Sequence, residues 1–89
     1  MQQHYLEVTF RKGRIVAAYL YLPRPVGVRS AKTKELAPGL LADLSATGAL
    51  IGLEITAPSL ATVQSINAAL KVLGHPPIDP VEFLPLQVA

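Results

Sequence analysis

The chain has 89 residues, of which 51% are hydrophobic and only 16% charged, with a net charge of +2 and no cysteine. A chain of this length has room for one core, read here as a single domain over residues 1–89, and it has no cysteines for a disulfide framework. No stretch approaches the roughly 18 apolar residues of a membrane span, and the first ten residues lack a basic segment followed by an apolar run, so a cytoplasmic protein is expected.

The first predicted element is a strand. From Tyr5 to Phe10, Leu6, Val8 and Phe10 alternate with Tyr5, Glu7 and Thr9. Arg11-Lys12-Gly13-Arg14 reads as a tight turn. A second strand follows over residues 15–22, rich in β-branched and aromatic residues and apolar on both faces. Counting back from the turn pairs Phe10 with Ile15, Val8 with Ala17 and Leu6 with Tyr19. That register assigns the tyrosines to the core and leaves Val16, Ala18, Leu20 and Leu22 on a second apolar face.

Pro23-Arg24-Pro25 ends this strand. Residues 26–36 read as an edge strand carrying Arg29, Lys32 and Lys34, because lysine at an edge discourages unwanted pairing. After the Ala37-Pro38-Gly39 turn, residues 40–44 and 49–56 form a hairpin around Ser45-Ala46-Thr47-Gly48. Its expected pairs are Leu44 with Ala49, Ala42 with Ile51 and Leu40 with Leu53. Gly52 inside a strand points to a bulge or to the close approach of other atoms.

A helix is expected over residues 58–73, capped by Ser59 and stopped by Gly74, with Val63, Ile66, Leu70 and Leu73 on its apolar stripe. Its flank of Ala61, Ser65, Ala68 and Val72 is small and weakly apolar, a plausible second contact surface. Residues 75–89 hold four prolines yet remain apolar, and read as an extended arm laid on the sheet or on a partner. The fold class is therefore α+β: an antiparallel β-meander of about five strands over residues 5–56, one C-terminal helix and a Pro-rich arm.

Two stretches resemble the bacterial family known as domain of unknown function 2283. Ala17-Ala18-Tyr19-Leu20-Tyr21-Leu22 is similar to its A-L-Y-I-x-L strand. Residues 39–55 are similar to its hairpin G-V-x-x-D-x-x-x-x-G-x-L-V-G-I-E-I-L, with Gly39, Asp43, Gly48, Gly52 and Glu54 in register. The first turn departs from the family, being basic where the family is acidic. The resemblance implies the sheet but no established activity, although some relatives are suspected antitoxin-like partners of small toxins.

Chemistry-bearing residues are sparse. Asp43 and Glu54 share a face of the last hairpin and form a possible polar site, for acid–base work or a cation. The structural alternative has Asp43 bonding turn amides and Glu54 pairing with Lys32 or Lys34. His4 and His75 have no neighbours at metal-ligand spacing, the serines lack a nucleophile motif, and no phosphate loop is present. No enzyme activity and no cofactor are expected.

Residues 1–36 hold seven basic and two acidic side chains, a net of +5, and the remainder holds one basic and four acidic, a net of −3. Arg24, Arg29, Lys32 and Lys34 thus form a possible basic face, and an antitoxin-like or RNA-binding module is the alternative function. The leading expectation is a non-enzymatic interaction protein that forms a homodimer or higher oligomer. So apolar a composition calls for burial against a second chain, through Leu20, Leu22, Leu50, Val72, Phe83 and Leu84.

Overall fold

The computed structural model describes residues 4–23, 26–60 and 62–87. Arg24, Pro25, Ala61 and Val88, named above, lie outside the described residues. Five strands, β1 (Tyr5–Arg11), β2 (Arg14–Tyr21), β3 (Lys32–Ala37), β4 (Leu40–Leu44) and β5 (Leu50–Ile55), form one antiparallel sheet in the order β1-β2-β5-β4-β3. The α+β class is as expected. The order is two antiparallel units, β1-β2 and β3-β4-β5, joined where β2 pairs with β5, so the chain crosses from mid-sheet to the far edge between β2 and β3. The expected long third strand is correspondingly short, and residues 26–31 form a loop.

Bulges decide which residues are inside. The β1-β2 turn has positive φ at both Lys12 and Gly13, as a two-residue hairpin with right-handed strand twist requires. Phe10 pairs with Ile15 as expected, but Thr9 then pairs with Ala17, so Val16 is an extra residue. Beyond it the register is Val8 with Ala18, Glu7 with Tyr19 and Leu6 with Leu20, one step from the expected pairing. A one-residue slip exchanges faces. Ala18, Leu20 and Leu22 are therefore buried, and Tyr19 and Tyr21 stand on the opposite face. β2 is apolar on both sides, so its pattern cannot choose. A phenolic hydroxyl needs a partner and an aliphatic chain does not, which favours the observed choice.

A second bulge, at Ile51, pairs Leu44 with Leu50, Asp43 with Gly52, Ala42 with Leu53 and Leu40 with Ile55. Ile51 is thereby buried, Leu50 packs on the core, and Ala49 is exposed. The buried rows are Ala18-Ile55-Leu40 and Leu20-Leu53-Ala42.

One helix covers this face. After a 3-10 turn at Pro58–Leu60, α1 (Val63–Val72) begins later than the spacing suggested. Its N-cap is Thr62, not Ser59. The Thr62 hydroxyl accepts from the Ser65 amide, and the Ser65 hydroxyl oxygen accepts from the Thr62 amide, a capping box. Ile66 and Leu70 are fully buried, with Val63 and Leu73 beside them. Gly74, at φ 76°, closes the helix. Its amide donates to the Lys71 carbonyl and the His75 amide to the Leu70 carbonyl, a Schellman pair that the left-handed residue makes possible.

The arm is not extended. Asp79 caps a 3-10 turn over Pro80–Phe83 that runs into a short helix α2 (Leu84–Gln87). Ile78, Phe83 and Leu86 enter the same core as Ile66 and Leu70. The Asn67 side chain holds the segment by bonding the backbone of Ile78. His4 pairs with Glu82 and ties the start of β1 to this turn.

Candidate functional site

The helix covers one face of the sheet, and among the described residues no helix or strand lies over the other. Two adjacent rows cross all five strands there. The first is Glu7-Tyr19-Glu54-Leu41-Glu35, and the second is Tyr5-Tyr21-Gly52-Asp43-Thr33. Asp43 and Glu54 thus occupy successive positions on one face, closer along the ladder than the expected register placed them.

Each member of the second row is held by its neighbours. The Tyr19 ring lies over Gly52, where a Cβ would meet its Cζ and hydroxyl, which is why glycine stands at that strand position. Its hydroxyl donates to Asp43 Oδ2 at 2.6 Å, and Thr33 Oγ1 donates to Asp43 Oδ1 at 2.9 Å. Asp43 therefore binds two side-chain hydroxyls rather than turn amides; it is Ser45, buried in the turn, whose Oγ accepts from the Ala49 amide. The Tyr21 hydroxyl donates to Glu7 Oε1 at 3.2 Å. Tyr5 and Tyr21 stack at 4.3 Å between centroids, and Tyr19 and Tyr21 meet tilted at 4.6 Å.

Glu54 does not pair with Lys32 or Lys34. Lys32 and Lys34 stand opposite Leu44 and Ala42, on the helix-covered side at the β3 edge, whereas Glu54 is on the open side. Among the described residues Glu54 has no hydrogen-bond or ion-pair partner. Of the possible basic face, Lys32 and Lys34 stand on the same side of β3. Arg24 is outside the described residues, Arg29 lies in the loop before β3 on the wall of a cleft of about 400 Å³, and the tyrosines share their face with carboxylates instead of lysines. No group of three or more His, Asp or Glu is placed to hold a metal among the described residues.

The six residues expected at an interface divide in two. Leu20, Leu22 and Phe83 are at most 3% exposed, so these three build the chain's own core and are corrected from interface to interior, while Leu50 is half-buried against that core. Val72 and Leu84 remain open at 84% and 51%. Val72 borders an apolar cleft of about 330 Å³ between the small flank of α1 (Ser65, Ala68, Ala69) and Leu36 of β3 and Leu40 of β4. A second hollow continues from it toward Leu60, which is 61% exposed.

The sequence reading missed the roles of Tyr19, Tyr21, Glu7 and Thr33. Gly52 was the available signal, since a glycine mid-strand leaves space for a ring on the neighbouring strand. No helix among the described residues is long and apolar enough to cross a membrane. No family model, curated protein or solved structure matches the chain.

Proposed function

We propose that this protein is a non-enzymatic interaction protein that pairs with a second copy of itself, the cleft beside α1 in each copy receiving the α1 flank of the other. The observation that carries this reading is the apolar cleft of about 330 Å³ with Val72 standing 84% exposed on its rim. Ser65, Ala68 and Val72 recur at helical spacing, and their small side chains let a second helix come close. Burying Val72 contributes about 1.5 kcal/mol or more per copy by transfer from water. The β3 edge is a poorer contact, since Lys32 and Lys34 oppose strand addition. The resemblance to the domain of unknown function 2283 family fits a small sheet protein of this kind and adds no activity.

Size-exclusion chromatography with light scattering tests the reading. The expected mass is twice the 9.5 kDa of the chain, falling to one chain in a Val72→Glu variant of unchanged circular dichroism. A wild-type monomer throughout the micromolar range overturns it. The nucleic-acid alternative predicts instead a gel shift that weakens steeply with salt.

A further inference from the structure

We infer that the open face of the sheet is a binding surface for an arginine- or lysine-rich segment of a protein partner. The two rows that cross it hold Glu7, Glu35, Asp43 and Glu54, four of the chain's six acidic residues, and no lysine or arginine, while on the same side Arg11 and Arg14 stand beyond Thr9 and Ala17 at the β1-β2 turn. This concentration runs against the net charge of +2 of the chain as a whole.

The carboxylates alternate with aromatic faces. Tyr5 is 56% exposed and stacked on Tyr21, which in turn touches Tyr19, so the rings make one ledge flanked by Glu7 and Glu54. A guanidinium matches both features: its plane stacks on a ring, and its fork of donors meets a carboxylate. Phosphate would meet like charge at these positions. A metal ion would need three or more ligands brought together, and no such group occurs among the described residues.

The face is also ordered in advance. Asp43 fixes Tyr19 over Gly52, and Glu7 fixes Tyr21, so little side-chain freedom remains to be lost on binding. Glu54, half-buried in the middle of the sheet, and Glu35, at its edge, have no hydrogen-bond or ion-pair partner among the described residues. Because α1 lies on the opposite face, this surface does not depend on self-association and its test is separate.

All three tyrosines of the chain lie here and there is no tryptophan, so intrinsic fluorescence reports this face directly. The experiment titrates the full chain with an arginine-rich nonapeptide at low salt. A saturable fluorescence change that weakens with added salt is expected, and none with a glutamate-rich peptide. The double variant Glu7→Gln, Glu54→Gln should weaken binding about tenfold, and Tyr5→Ala severalfold. Glu82→Gln, which removes a carboxylate elsewhere, should leave it within about twofold. Circular dichroism verifies that each variant is folded. No saturable change, or an equal loss in Glu82→Gln and in the double variant, overturns the proposal.

Discussion

One side chain, Asn67, makes both backbone hydrogen bonds of Ile78. Its Oδ1 accepts from the Ile78 amide at 2.8 Å, and its Nδ2 donates to the Ile78 carbonyl at 3.1 Å. Ile78 is buried, so its peptide groups have little access to water. Asn67→Ala is expected to cost about 2–4 kcal/mol, the sum of two deserted polar groups. Asn67→Asp keeps the acceptor but sets a carboxylate oxygen against the Ile78 carbonyl, and should cost at least as much. Urea denaturation measures both, and limited proteolysis should cut first within residues 75–87.

The arm behaves as core. Phe83 is 1% exposed, whereas Val81, two residues earlier in the same turn, is 59% exposed. Phe83→Ala should destabilise the fold by about 3–5 kcal/mol, through lost transfer energy and the cavity left behind. Val81→Ala should change stability by less than about 0.5 kcal/mol. Thermal melts that place the two variants level would contradict this packing.

Gly52 and Tyr19 act as one unit. Gly52→Ala puts a methyl where the ring lies, forcing Tyr19 aside and breaking its bond to Asp43. The expected cost is about 1–3 kcal/mol. Tyr19→Phe removes only the hydroxyl, at about 1 kcal/mol. In a Tyr19→Ala background the Gly52→Ala cost should largely disappear. A double-mutant cycle with no coupling would show that the glycine is there for another reason.

Gly74 is held at φ 76° by the two bonds that end α1. There is open space around it, so Gly74→Ala tests backbone conformation alone. About 1 kcal/mol of destabilisation is expected, since alanine resists the left-handed region. Chemical denaturation showing a neutral or stabilising change would remove the Schellman closure from the account.

The hairpin turns, the α1 stripe and the Gly74 stop were legible because each depends on local chemistry. Positive φ at Gly13, helical spacing of Ile66 and Leu70, and proline after the helix act within a few residues. The register of β2 was not legible. Both of its faces are apolar, and the extra residue at Val16 chose between them only once β5 and α1 supplied a core for Leu20 and Leu22. The tyrosine face followed from that choice. Asp43 and Glu54 were visible as a same-face pair, but their aromatic neighbours come from β2, more than twenty positions away in the chain.

Sequence alone determined the main strands and helix, the antiparallel α+β class and the scarcity of reactive groups, since these follow from residue spacing and composition. Tertiary structure decided the strand order, the face each strand buries and the folding of residues 78–86 onto the core. Those outcomes turn on single-residue bulges and on long-range cover, and a period-two pattern that is apolar on both sides carries no information about either.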